Sequence, residues 1–280
     1  MKTGLVLEGG GKRGIYTAGV LDVFLENGIA FDGVMGVSAG AIHGCSYVSE
    51  QMGRSIRYNL KYGNDYRFMS FLSWLLTGNV VDTKFCYHTL PEKLDPFDNQ
   101  TFMNSKTDFY VVCSNVETGK PEYILCKDMF KDIDYLRASA SLPFVSRIVK
   151  LNNKKYLDGG ITDSIPFAAF RQMGYDKLVV ITTRPKHYRK KTFIWKWIAG
   201  LRYKKYPKFV DAILNRHKMY NQEVEELKNL EEKKEIFVIR PSRQINISKM
   251  EKDLNKVDEM YRLGREDAYK IIEELQNYLK

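Results

Sequence analysis

The 280-residue sequence is 44% hydrophobic with a net charge of +10, long enough to bury a sizeable α/β core. No apolar run reaches the roughly 18 residues of a membrane-spanning helix, since FLSWLL at 71–76 and FIWKWIAGL at 193–201 are too short. The opening MKTGLVLEGG lacks the apolar stretch of about 7–15 residues found in a secretory signal, so the expected location is the cytoplasm. Cys45, Cys86, Cys113 and Cys126 are scattered with no C-x-x-C pair, a pattern of reduced, buried thiols rather than of a zinc site or a disulfide framework. No metal or cofactor is expected.

In chain order, GLVLE at 4–8 reads as a short buried strand. Apolar residues at 15, 16, 20, 21, 24 and 25 then mark a helix facing a core. A second strand over 31–37 runs into Ser38-Ala39-Gly40-Ala41-Ile42, small residues that suit a tight turn and a helix start. This order of strand, glycine loop, helix and strand begins a parallel sheet with crossover helices. Residues 53–104 are irregular and aromatic, in the position of a lid or inserted cap. DFYVVCSNV at 108–116 and PEYILCKD at 121–128 form a hairpin through 117–120. A helix over 133–141 stops at Pro143, and Lys155-Tyr156-Leu157 leads into the turn Asp158-Gly159-Gly160. Pro166 suits the first turn of a helix ending near Gly174, and DKLVVITT at 176–183 is a buried parallel strand. One more strand is predicted at 235–241 and a long amphipathic closing helix at 254–279.

The positive charge is local. Between Lys186 and Lys218 stand eleven lysines and arginines against Asp211 alone, so this segment accounts for the whole excess. Within it, Phe193, Trp195, Trp197, Tyr203, Tyr206 and Phe209 alternate with cations. Tryptophans at headgroup depth and cations toward anionic lipid would make a membrane anchor; a solvated face whose aromatics pack on the core fits the pattern equally. No nucleic-acid recognition motif accompanies the charge, and no nucleic-acid partner is expected.

Three short motifs carry chemistry. GGGKRG at 9–14 satisfies G-x-G-x-x-G through Gly9, Gly11 and Gly14, and Asp32 follows 18 residues after Gly14, as in a dinucleotide-binding unit. It is not a phosphate-binding Walker loop, because Arg13 rather than Ser or Thr follows Lys12. GVSAG at 36–40 is a G-x-S-x-G at a strand-to-helix turn. A serine nucleophile needs such a turn, and Gly36 and Gly40 are small enough for strand and helix to pass closely; a serine that merely caps the helix is the plainer alternative. Asp158-Gly159-Gly160 offers a carboxylate on a loop able to approach that serine, or an ordinary Asp-Gly turn.

Taken together, with RASASLPF at 137–144 in support, these motifs make residues 4–185 resemble the patatin-like phospholipase family of serine lipid acyl hydrolases. The resemblance implies a three-layer α/β/α sandwich with a mainly parallel central sheet. It also implies a Ser-Asp dyad without histidine, forming an acyl-enzyme on carboxylic esters of phospholipids or other acyl lipids. Carried over by position, Ser38 is the nucleophile, Asp158 its base, and Gly10, Gly11 and Lys12 offer backbone amides to the oxyanion. Gly9, Arg13, Gly14, Gly36, Gly40, Gly159 and Gly160 complete the motifs. Arg13 either fixes its loop through a salt bridge or pairs with a substrate phosphate. Many members carry Asn before the proline that follows the aspartate motif; here the stretch is Ile161-Thr162-Asp163-Ser164-Ile165-Pro166.

The expected organisation is a catalytic α/β domain over 4–185 and a basic, mainly helical region over 186–280, with one added strand, packed on it. Peripheral contact with anionic membrane would run through 186–218. Oligomeric state is left open. The rival readings are a dinucleotide-binding oxidoreductase, a non-catalytic lipid-binding module, and a Ser38-Asp158-His187 triad. The triad is weakened by the basic, polar surroundings of His187; His43 lies on a helix leading away from Ser38, and His88 and His217 have no motif around them.

Overall fold

A computed structural model describes residues 1–280. Strand β1 (Lys2–Leu7) is followed by a tight 3-10 turn at Gly11–Gly14 and helix α1 (Ile15–Glu26). Next come β2 (Gly33–Val37) and α2 (Ala39–Val48). The strand, glycine loop, helix and strand order is therefore as predicted. The region 53–104 holds α3 (Arg54–Tyr62), α4 (Phe71–Thr77), a π-helical segment (Phe85–Leu94) and α5 (Asn99–Asn104). The predicted hairpin is β3 (Asp108–Asn115) with β4 (Pro121–Cys126), and α6 (Met129–Ser139) follows it. Then come β5 (Val149–Leu151), β6 (Lys154–Asp158), α7 (Phe167–Gln172) and β7 (Tyr175–Ile181). The C-terminal region contributes α8 (Lys196–Arg202), α9 (Pro207–Glu232), β8 (Ile236–Ile239) and α10 (Leu254–Leu279).

The strands form one sheet in the order β5-β6-β3-β2-β1-β7-β8, with β4 also paired to β3. The run β3-β2-β1-β7-β8 is parallel throughout, while β4 and β6 pair antiparallel to β3, and β5 antiparallel to β6. Side chains alternate across this sheet. Leu5, Leu7, Val34 and Val179 join a core shared with α1, α2, α6 and α10, whereas Val6, Met35, Val112 and Val180 pack against α7 and α9. Helices thus cover both faces, and the chain is a three-layer α/β/α sandwich with a mainly parallel sheet and a helical C-terminal extension.

The predicted one-sided α1 is in fact buried all round, Thr17 and Asp22 included, because α10 lies across its outer face. The two backbones approach at glycines: a Cβ on Gly19 would strike the Tyr261 carbonyl, and one on Gly264 the Tyr16 carbonyl. Two polar pairs cross this contact, Tyr16 donating to Asp267 at 3.2 Å and Tyr261 to Asp22 at 2.7 Å, while the Thr17 hydroxyl has no partner. The β5–β6 hairpin was not foreseen. Its signal is Asn152-Asn153, a two-residue turn with both φ values positive, 47° and 60°, which asparagine tolerates better than most residues.

Candidate active site

Strand β2 ends at Val37, paired with Val112 of β3, and the next residue of β3, Cys113, pairs with Asp158 at the end of β6. Ser38 and Asp158 therefore leave strands that flank β3, and both line the same cavity of about 680 Å³.

Ser38 has φ 52° and ψ −120°, a conformation that side-chain-bearing residues adopt only when their surroundings enforce it. The neighbouring glycines explain how it is held. A Cβ on Gly36 would lie 2.5 Å from the Ala41 Cα, and one on Gly40 would strike the Leu7 carbonyl. Helix α2 begins immediately behind the serine with no side-chain cap, so its positive end is directed at Ser38. Two residues of the RASASLPF segment then tie the Ser38 and Asp158 loops together. The Ser38 amide donates to Ser139 Oγ at 2.8 Å, and the Asp158 amide donates to the Ser141 carbonyl at 2.8 Å. Asp158 Oδ1 accepts the Gly160 amide at 2.8 Å. Gly159 packs against the Val112 carbonyl so closely that no side chain fits.

The glycine loop closes over Ser38, with Gly9 against its Cβ and Gly14 against Ala39. Gly11 has φ 59°, a left-handed turn that leaves the Gly10 and Gly11 amides without a protein acceptor. The Lys12 amide, expected beside them, instead donates to the Lys249 carbonyl at 3.1 Å. Its side chain is also engaged, donating to Asn59 Oδ1 at 2.8 Å and lying over the Phe68 ring. Burial and the neighbouring Lys252 bring its pKa down to about 8. Arg13 makes no ion pair, and its buried Nε has no partner. The loop is braced by Glu8, which sequence reasoning passed over. Buried at 3% exposure, Glu8 accepts from the Thr183 amide at 2.6 Å and the Tyr220 hydroxyl at 2.9 Å.

Asp32 does not join this loop. It sits at the opposite end of the sheet, accepting from the Thr3 amide at 2.7 Å, so the arrangement that would hold a dinucleotide ribose beside Gly9–Gly14 does not form. Of the histidines, His187 is exposed and His88 contacts Glu92 on the surface. His43 does line the cavity, but its Nδ1 is paired with Ser55 Oγ at 2.9 Å, and burial together with Lys12 pushes its pKa down to about 3. His217 also lines the cavity, with Nδ1 at 3.0 Å from the Leu214 carbonyl. All four cysteines are free; burial pushes the Cys45 thiol up to about 11, away from the reactive thiolate.

The region 53–104 supplies much of the apolar wall, including Tyr58, Leu90 and Phe97, and α6 adds Met129, Ile133 and Leu136. The basic aromatic segment divides. Ala199, Tyr203 and Phe209 are buried, while Trp195 and Trp197 stand out of the surface beside the cavity mouth, where Phe193 stacks on Phe144 at 5.6 Å.

The model of the patatin-like phospholipase family matches residues 5–171, a span that contains the elbow serine, the aspartate and the glycine loop. The chain belongs to that family. Residues 206–280 match a second model, described only as a domain of unknown function. Among curated proteins, the uncharacterized protein YjjU of Escherichia coli is 29% identical over 270 residues, covering 93% of this chain and 74% of that protein. The lysophospholipase nte1 of Aspergillus terreus is 26% identical over 183 residues. That match covers 64% of this chain and only 12% of the fungal protein. Among solved structures, VipD from Legionella pneumophila aligns over 98% of this chain and 67% of its own, with a TM-score of 0.46 and 12% identity. No helix is long and apolar enough to cross a membrane.

Proposed function

We propose that this protein hydrolyses carboxylic esters of lipids through an acyl-enzyme on Ser38, with Asp158 as the only side-chain base. The observation carrying the reading is the strained Ser38 backbone at the end of β2, in one cavity with Asp158. The fungal relatives' lysophospholipase names support a lipid ester as substrate class.

Attack of Ser38 Oγ on the acyl carbonyl passes its proton to Asp158. The Gly10 and Gly11 amides receive the oxyanion, and this narrows the hole from the three amides expected. Collapse expels the alcohol or lysolipid, protonated from Asp158, and a water activated by the same carboxylate frees the fatty acid. A carboxylate with an ordinary pKa of about 3.9 is a weak base in water; here Ser38 and Asp158 are 8% and 2% exposed, and preorganised amides supply much of the rate. Residues 4–185 carry these groups, and 186–280 close one side of the cavity.

The lipid enters from a surface. Leu75 and Leu76 of α4 are 62% and 67% exposed, and Trp197 and Leu201 of α8 are 67% and 68% exposed. The segments next to both helices meet the turn at 143–147, through the Val80 amide on the Val145 carbonyl and the Phe144–Phe193 stack. Exposed leucines and tryptophans beside the cations of 186–218 suit peripheral contact with anionic lipid.

Fatty-acid release from short- and long-chain acyl esters tests the reading. The wild type should turn over, and Ser38→Ala and Asp158→Ala should each fall by about 10³-fold or more in kcat. Equal rates in wild type and Ser38→Ala would overturn it.

A further inference from the structure

The cavity has two chemically different ends. Toward the π-helical segment and α6 it is apolar, lined by Leu90, Phe97, Met129 and Ile133. Toward the C-terminal region it is cationic. Arg13, Arg184, Lys190, Arg216 and Lys249 all line it, and none of the five forms an ion pair with a carboxylate. Neighbouring cations on the outer surface do: Lys186 and Arg240 pair with Glu231, and Arg189 pairs with Glu225. The five inward-facing side chains have no carboxylate within ion-pair distance.

The nearby carboxylates offset these cations only in part and from beyond ion-pair distance: Glu8 and Glu223 act on Lys190, Glu8 on Arg13 and Asp158 on Lys249. Of the carboxylates, only Glu8 and Asp158 line the cavity. Glu8 is occupied by Thr183 and Tyr220, and Asp158 belongs to the reaction. The five cations are instead placed by other contacts. Arg184 lies over the Tyr188 ring at 4.2 Å and the Lys190 ammonium over the Tyr220 ring at 4.1 Å. The Lys190 backbone is clamped to α9 by Asn221 in both directions, at 2.8 and 3.1 Å. Arg216 Nε donates to the Gly160 carbonyl, and Lys249 is fixed by its own carbonyl on the Lys12 amide. Arg13, at 8% exposure, keeps a buried Nε with no acceptor. Like charges held this closely in a partly dry site repel one another unless an anion sits among them.

We propose that these five side chains form a phosphate subsite, so that the favoured substrate is an acyl ester whose headgroup is an uncompensated phosphate, with no attached choline or ethanolamine cation. This rests on the acyl-hydrolase reading of the same cavity. With the phosphate on the cations and the acyl chain against Leu90, Phe97 and α6, the ester between them lies over Ser38 and the free Gly10 and Gly11 amides. Four of the five cations, Arg184, Lys190, Arg216 and Lys249, lie beyond the residues matched to the family. Arg216 and Lys249 fall within the segment of unknown function, which on this account is the headgroup-binding wall of the enzyme. Charge-assisted contacts from guanidinium and ammonium groups are the chemistry suited to phosphate oxygens.

Calorimetric titration of full-length Ser38→Ala protein with monomeric 1-octanoyl lysophosphatidate, lysophosphatidylglycerol and lysophosphatidylcholine separates this claim from catalysis. Lysophosphatidate should bind at least about tenfold more tightly than lysophosphatidylcholine. The glycerol ester, a phosphodiester with one negative charge and no compensating cation, should fall between them, and binding no tighter than the choline ligand would count against the proposal. Equal binding of the phosphate and choline ligands would overturn the proposal. In Lys190→Gln/Lys249→Gln and, separately, in Arg216→Gln, the phosphate-to-choline affinity ratio should drop by about fivefold or more; an unchanged ratio in folded variants would also overturn it. Hydrolysis by wild type is scored apart. A protein that binds with the expected preference but releases no fatty acid from any ester sinks the enzyme reading and leaves the subsite standing.

Discussion

The cavity is built by two regions that carry information in different ways. The loops at 9–14, 36–40 and 158–160 are fixed by backbone geometry: an elbow serine at φ 52°, glycines where no Cβ fits, and a carboxylate capping its own turn. The wall formed by Arg184, Lys190, Arg216 and Lys249 is built from long side chains of separate segments that converge only in the folded chain. Steric demands on the backbone leave compact sequence patterns, whereas charge can be delivered to one point from many positions. The three loops were accordingly legible, and the wall opposite them was not.

The largest expected effect separates these roles. Asp158→Asn keeps the Oδ1 acceptor for Gly160 but removes the base, so kcat should fall by about 10⁴-fold on every ester, phosphate-bearing or neutral. Variants of the cationic wall should instead act mainly through KM and depend on the headgroup. Steady-state kinetics on paired esters distinguishes the two patterns.

Next in size is the packing of the C-terminal region on the first crossover helix. Gly264→Ala places a Cβ against the Tyr16 carbonyl, and overpacking of this kind costs about 1–3 kcal/mol. Thermal unfolding should show a lowered Tm, while an unchanged Tm would mean that α10 does not lie against α1 as described.

A smaller, graded effect is expected from pH. Burial, reinforced by Arg216 and Lys249 and opposed by Glu8 and Glu223, brings Lys190 down to about 7. Burial with Arg216, Arg13 and Arg184, opposed by Asp158, brings Lys249 down to about 8. Lys249 keeps exposed surface because it faces the open cavity. Both are bases with depressed values, so they are charged below these pH values and lose their protons as pH rises through them. A bound phosphate favours the charged forms. Affinity for lysophosphatidate should therefore weaken as pH rises from 7 to 9, by up to about tenfold per pH unit for each linked proton. The phosphate itself, with a second pKa of about 6, stays doubly charged over that range. Lysophosphatidylcholine binding should change much less, and parallel curves for the two ligands would contradict the account.

The smallest effect is a null. His187 is exposed and outside the cavity lining, so His187→Ala should leave kcat within about twofold of wild type, whereas a loss above about 10³-fold would restore the triad.

Much of the fold could be read from the chain because its central strands are continuous apolar runs, as at 176–183 and 109–113. The closing helix α10 was predicted with its observed limits, since its apolar stripe repeats at helical spacing over 26 residues. The extent of burial of α1 was not legible: its outer face is covered by a helix more than two hundred residues away, and local periodicity cannot report a distant partner. Ser139 and Ser141 were flagged only as part of a supporting segment; their grip on the Ser38 and Asp158 amides depends on where α6 ends in space. Glu8 stood beside the glycine loop, but its partners Thr183 and Tyr220 lie 175 and 212 residues further along the chain. The Lys12 amide was misplaced for the same reason, because its acceptor, the Lys249 carbonyl, lies in a segment with no motif.

The most direct test of the central claim is mass spectrometry of the intact, folded protein after reaction with a fluorophosphonate. The account predicts one adduct, mapped to Ser38, absent in Ser38→Ala and strongly slowed in Asp158→Asn. Folded protein that takes up no adduct, or takes it up at another residue, would contradict it.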